Sequence, residues 1–299
     1  MSRRTGEEVL DGLVVVDKPP GITSHDVVSA CRRIFDQRRV GHAGTLDPPA
    51  TGVLCVGLGR VTRLLRFVGS TTKAYVGELV LGTSTTTMDD QGEVVGRWDM
   101  SAVGAGELES AAEGLRGEIW QVPPMVSAVK VGGRRLHELA RQGVEVPRQA
   151  RRVQVEELTV APGSEQGVWR LEVRCSAGTY VRVIADEMGR LLGGGAHLRR
   201  LRRVAVGSFR LEDACELDEL ARLGPGAVLS PVEAVRDLAS VELDGELAAA
   251  VRHGRPLDAG LLAASGPAPW ALTEAGGRLL AVYEEGGPLA RPAVVMAPA

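Results

Sequence analysis

Asparagine is missing altogether from the 299 residues, and lysine and tyrosine occur only three times each. Without asparagine there is no N-glycosylation sequon and no Cys-His-Asn triad. The four cysteines (Cys31, Cys55, Cys175 and Cys215) are widely spaced, with no C-x-x-C pair. The five histidines show neither H-x-x-x-H nor H-E-x-x-H spacing. A disulfide framework and a zinc site are therefore not expected. No apolar run approaches the roughly 18–20 residues of a membrane-spanning helix, and the start, MSRRTGEEVLDG, has no secretory hydrophobic segment. There is no G-x-x-x-x-G-K-[ST], and GLGR at 57–60 lacks the third glycine of a dinucleotide fingerprint, so nucleotide-triphosphate and nicotinamide chemistry find no support. These absences describe a cytoplasmic, metal-free protein that acts away from membranes.

What is present is arginine, unevenly placed. The net charge of -3, from 35 Lys+Arg against 38 Asp+Glu, argues at face value against a nucleic-acid partner. The average conceals two opposed blocks, because residues 130–210 carry a net +8 and residues 211–299 a net -8. The strongest basic cluster is HLRRLRR at 197–203, which reads as a phosphate-tracking surface or as a solvated charged face. The local excess favours the first, and affinity for a polyanion is expected to reside in residues 130–210.

Hydrophobic patterning gives the frame. LVVVD at 13–17 reads as a buried strand closed by the turn KPPG, and Thr23 or Ser24 caps a helix with Val27, Val28, Cys31, Ile34 and Phe35 on one face. Residues 51–59 return to strand character, and 73–82 alternate so that Tyr75, Gly77, Leu79 and Leu81 share a face. Residues 83–92 read as a polar loop, 107–116 as a surface helix, and 125–131 as a strand followed by a short helix ending at Gly143. Residues 168–176 alternate as a half-buried strand, and helical spacing runs from Val181 to Leu192. Strands and helices mingle without regular βαβ alternation, so an α+β fold is expected: a mixed, largely antiparallel sheet with flanking helices. After about residue 225 the chain becomes Ala/Gly/Pro-rich and acidic, with a helix at 246–253 and strands near 278–283 and 293–296. This gives a larger domain at 10–230 and a small β-rich domain at 240–299.

Two stretches carry chemistry. In GHAGTLDPPATG (41–52), two prolines bar Asp47 from helical backbone and hold a rigid turn, and a glycine at each end allows close backbone approach. Asp47 is then a nucleophile or general base, or an ordinary turn residue. In CSAGTYVRVIADEMGR (175–190), Tyr180 and Arg182 fall at a strand-to-helix junction, where Arg182 either pairs with an acidic catalytic group or faces solvent.

Five ordered blocks resemble the TruB-type tRNA pseudouridine synthases: VVVDKPPGITSHDVV (14–28), GHAGTLDPPATGVL (41–54), KAYVGELVLG (73–82), VPPMVSAVKVGGRRLHELARQG (122–143) and GTYVRVIADEMGRLLGGGAHLRRLRRVAVGSF (178–209). The resemblance implies a pseudouridine synthase catalytic fold and a PUA-like C-terminal domain. The implied activity is isomerisation of uridine in the T arm of tRNA, at the position conventionally numbered 55, by a monomer without metal or organic cofactor. It further implies that Asp47 acts at the sugar C1′ and that Tyr75 packs on the target base and takes part in proton removal. Arg182 pairs with Asp47, keeping it ionised, and His42 supports the flipped-out state. Leu201 touches the uracil, and Lys18, Lys130 and Tyr180 occupy framework or substrate-contact positions. Thr86 stands where many relatives carry aspartate, while Asp89 and Gly92 follow the family pattern. Two other readings are an RNA-binding or tRNA-folding factor and a guide-RNA-dependent relative.

Overall fold

The computed structural model describes residues 10–127, 129–140, 142–263 and 265–296. The first half of the main sheet is built from β1 (Gly12–Lys18), β2 (Val40–Ala43), β3 (Thr51–Leu58) and β4 (Lys73–Leu81), with α1 (Ser24–Ile34) and α2 (Leu65–Ser70) between them. Thr23 caps α1 with a full capping box, its hydroxyl accepting from Asp26 N–H while the Asp26 carboxylate accepts from Thr23 N–H. In β4 alternate residues from Lys73 to Leu81 are buried, as the pattern predicts.

Residues 83–92 depart from the expected loop, because β5 (Thr83–Thr85) pairs with β6 (Val94–Arg97) as a hairpin. Helix α3 (Ala105–Glu113) then covers the sheet with Leu108, Ala111 and Ala112 before β7 (Gly117–Gln121). Among the described residues of the expected strand at 125–131, Lys130–Val131 is extended, as β8, paired with β9 (Arg134–Arg135) ahead of α4 (Leu136–Ala140). The sheet is completed by β10 (Arg151–Pro162), β11 (Val168–Cys175), β12 (Ala196–Val206) and β13 (Phe209–Arg210), with α5 (Val181–Leu191) packed across it. Strand order is β1-β3-β12-β4-β11-β10-β7, with β2 added to β3 and β13 to β12. Every pairing is antiparallel except β12 with β3. The fold is thus mixed α+β, with helices on a largely antiparallel sheet.

The far edge of β3 is shared. Residues 55–58 pair with β2, whereas Thr51 and Gly52 pair with Arg202 and Arg203 of β12. The turn carrying Asp47 projects where β3 changes partner. Gly52 makes this possible: its φ is +102°, and a Cβ there would lie 2.1 Å from the Arg203 carbonyl oxygen. Gly52→Ala therefore meets backbone, which cannot step aside. A loss of roughly 1–3 kcal/mol from the strained φ and a similar amount from overpacking is expected, measurable as a lower urea midpoint.

After α6 (Leu217–Leu223), a second sheet forms from β14 (Ala239–Leu243), β15 (Leu257–Asp258), β16 (Trp270–Glu274), β17 (Arg278–Gly286) and β18 (Leu289–Val295), in the order β14-β16-β17-β18-β15. Helices α7 (Gly245–Arg252) and α8 (Ala259–Ala263) pack on it. One hydrophobic cluster joins the two sheets, uniting Phe67, Val68 and Phe209 with Ala271, Leu279, Val282 and Val294. Arg60 and Arg63 donate to the carbonyls of Met296 and Val295, and Arg66 pairs with Glu284. Truncation at residue 240 would strip this shared core and is expected to destabilise the first sheet as well.

Candidate active site

Beside the Asp47 turn lies a cavity of about 280 Å³ whose wall includes Asp47, Tyr75, Asp89, Tyr180, Arg182 and Leu201. Three distant segments supply its ionic centre. Asp47 comes from the β2–β3 turn, closed by Ala50 N–H donating to the Asp47 carbonyl at 3.0 Å. Arg182 comes from the first turn of α5, and Asp89 from the β5–β6 hairpin. The Arg182 side chain, only 4% exposed, places one guanidinium nitrogen 3.3 Å from Asp47 Oδ2 and another 3.3 Å from Asp89 Oδ2, and also donates to the Val126 carbonyl. Arg182 therefore faces acids and not solvent.

Asp89 is the residue that sequence reasoning left outside the candidate site. Its Oδ1 accepts from the Thr87 hydroxyl and from Gln91 N–H, and its carbonyl accepts from the Thr85 hydroxyl. The carboxylate is thus fixed by its own hairpin before it meets Arg182.

The Asp47 carboxyl is lifted above the ordinary carboxylate range by burial against the cavity wall. Asp89 adds to this, while Arg182 and Lys18 oppose it. Pairing with Arg182 thus moderates the shift without reversing it. Burial likewise raises the Tyr75 phenol, with nearby Arg203 acting the other way. Tyr75 rests as a neutral phenol, and its ring lines the cavity.

Leu201 reaches the wall through an irregularity. Between Arg199 and Arg202 strand β12 carries one extra residue relative to β4, with Arg200 at φ +53°. Such a bulge shifts the inward face by one position. Leu198 and Leu201 consequently lie together over Gly77.

The other sequence candidates are distributed differently. Lys18 is wholly buried beneath the turn, donating to the carbonyls of Pro19, Ile22 and Pro48, and burial pushes its ammonium down to about 8. Tyr180 is the N-cap residue of α5, where Gln121 clasps its backbone: the carboxamide accepts from Tyr180 N–H at 3.0 Å and donates to its carbonyl at 3.3 Å. His42 sits on β2 opposite Val56 and outside the cavity wall. Burial, Arg203 and His25 lower its pKa, keeping it neutral. The side chain of Lys130 lies outside the described residues.

The HLRRLRR cluster is not a free phosphate-tracking stripe. Arg199 pairs with Glu78 and Glu165, Arg200 with Glu78, and Arg202 with Asp17, while Arg203 is buried. Elsewhere in the basic block Arg152 pairs with Glu118 and Arg174 with Glu156. Several of these acids belong to residues before 130, so the local +8 overstates the charge left to meet a polyanion.

The family comparisons place this mixed sheet among the pseudouridylate synthases. The profile described as "TruB family pseudouridylate synthase (N terminal domain)" matches residues 32–181, and "tRNA pseudouridylate synthase B C-terminal domain" matches 182–235. The chain is 43% identical to the tRNA pseudouridine synthase B of Mycobacterium tuberculosis (strain ATCC 25618 / H37Rv), over 96% of each. It is 47% identical to that of Symbiobacterium thermophilum, over 82% of each. Among solved structures, one titled "Crystal Structure of a Cbf5-Nop10-Gar1 Complex" superimposes with a TM-score of 0.73 at 27% identity, covering 96% of this chain and 85% of that one. The chain belongs to the TruB family of pseudouridylate synthases and is an isomerase. The boundary between the two matched profiles falls at the start of α5, inside the main sheet's own layer.

Proposed function

We propose that the protein converts uridine to pseudouridine in the T arm of tRNA, at the position conventionally numbered 55, with Asp47 acting at the sugar C1′ of a flipped-out nucleotide. The observation that carries this reading is the Asp47–Arg182–Asp89 array in the wall of a cavity the size of one nucleoside. About 280 Å³ is near the small end of ligand pockets and admits one extruded nucleotide, not a stacked duplex step. A carboxylate there can support oxocarbenium character or form a covalent link at C1′, as in glycosidases. The N1–C1′ bond breaks, the C5–C1′ bond forms, the C5 proton leaves and N1 gains one, so no oxidant or cofactor enters the balance. Tyr75 packs on the detached uracil, Leu201 abuts it, and Arg182 holds Asp47 in place. His42, Lys130 and Tyr180 are assigned to the surrounding RNA, with residues 10–230 as catalytic domain and 240–299 as accessory domain.

The test is tritium release from C5-tritiated uridine by the purified chain with naked RNA. A T-arm stem-loop is expected to be converted and an anticodon stem-loop to be left unchanged, with affinity falling steeply as salt rises. Equal release from both hairpins would remove the T-arm assignment. Release only upon addition of a guide RNA would favour a ribonucleoprotein enzyme instead.

A further inference from the structure

The Asp47 turn is held by two buried side chains that the chemistry above does not use. Arg203 is 1% exposed, and among the described residues no carboxylate pairs with it. A buried cation without a counter-ion is costly unless its donors are satisfied. Here the Nε–H donates to the Val53 carbonyl at 2.7 Å, and a terminal nitrogen donates to the Gly44 carbonyl at 3.0 Å. Gly44 and Val53 are the two stems of the turn that carries Asp47. The guanidinium thus closes the base of the turn, which a point-charge ammonium could not span. The backbone at the same residue pairs with Gly52 on one side and with Tyr75 on the other, so one position registers Asp47 against Tyr75.

Ser24 acts from the opposite side. It is 1% exposed, its hydroxyl accepts from Leu46 N–H at 2.9 Å, and it donates to the Leu46 carbonyl at 3.2 Å. Both backbone groups of the residue preceding Asp47 are therefore fixed by one hydroxyl at the first turn of α1.

We propose that Arg203 and Ser24 are positioning residues that clamp the Asp47 turn from its stems and from its leading peptide, setting where the carboxylate meets C1′. The inference rests on Asp47 acting at C1′, as read above. Ser24 lies outside the cavity wall, whereas Arg203 borders it beside Tyr75, so Ser24→Ala is the variant in which an effect on the chemical step is read without a direct contact to the nucleotide.

The experiment compares full-length Ser24→Ala, Arg203→Lys and Asp47→Asn in single-turnover tritium release, with T-arm RNA affinity and melting temperature measured alongside. A displacement of about 1 Å can cost on the order of 10²-fold in rate. Arg203→Lys is expected to lose about that much and Ser24→Ala about 10-fold or more, with RNA affinity held within about threefold. A wild-type rate in Ser24→Ala overturns the proposal. So does a loss of rate matched by equal losses of affinity and melting temperature, which marks a structural role alone. Should Arg203→Lys fail to fold, Ser24→Ala decides. If Asp47→Asn kept the wild-type rate, the Asp47 reading itself would fall, a result distinct from failure of the clamp.

Discussion

Asp47→Asn is expected to lower tritium release by about 10⁴-fold or more, the scale on which removal of a covalent or charge-stabilising group acts. The asparagine carboxamide matches the carboxylate in shape, so the turn built on Pro48 and Pro49 and the bonds from Lys18 and Ser24 remain. RNA affinity is expected to stay within a few-fold of wild type. Stability should change little. Burial places the Asp47 carboxyl above its ordinary value, so between the unfolded and folded values the native state binds more protons than the unfolded one. Asp47 accordingly withdraws stability at neutral pH and returns it as the pH falls through the folded value. A neutral carboxamide removes that cost but also the pairing with Arg182, and a melting temperature close to that of wild type is the expected reading. Residual release above a tenth of the wild-type rate would contradict the role given to Asp47.

The turn and its neighbours were legible because their signals are local. Asp-Pro-Pro between two glycines specifies a fixed turn wherever it stands, and strict alternation through 73–82 shows which side of β4 carries Tyr75. Strand β12 was not legible. Two register shifts break its period of two, so Leu198, Leu201 and Arg203 share an inward face that no simple alternation reveals. Its arginines read as a basic surface, because their neutralising acids, Asp17 and Glu78, lie more than a hundred residues earlier in the chain. Asp89 was hidden for a related reason. A polar stretch such as TTTMDDQG has the composition of a loop, and only the β5–β6 pairing brings its carboxylate to Arg182. Net charge by segment misled in the same way, since it counts side chains and not the partners the fold gives them.

Arg182 is the position where both activity and pH behaviour should change most after Asp47. Arg182→Met would leave Asp47 and Asp89 facing one cavity with no guanidinium between them. Losing a preorganised charge of this kind is expected to reduce the chemical step by about 10²–10³-fold. It should also move the acid limb of the rate profile to higher pH, because Arg182 is the larger of the two influences that hold the Asp47 carboxyl down. Arg182→Lys keeps the charge without the fork. Its ammonium cannot serve two carboxylates and the Val126 carbonyl together, so its rate is expected between wild type and Arg182→Met, with a smaller shift of the acid limb. Breaking a fully buried ion pair costs about 3–5 kcal/mol. Solvent screens the Asp47 part of that loss, because the Asp47 side chain is 40% exposed, whereas Asp89, 13% exposed, is left buried without its cation and carries most of the cost. The sign with pH follows from the raised Asp47 carboxyl. The stability deficit of Arg182→Met relative to wild type is greatest at neutral pH, where Asp47 is charged, and narrows on acidification as it takes up a proton. Melting curves at neutral and mildly acidic pH measure this directly, and a deficit that widened on acidification would exclude electrostatic repulsion as its source.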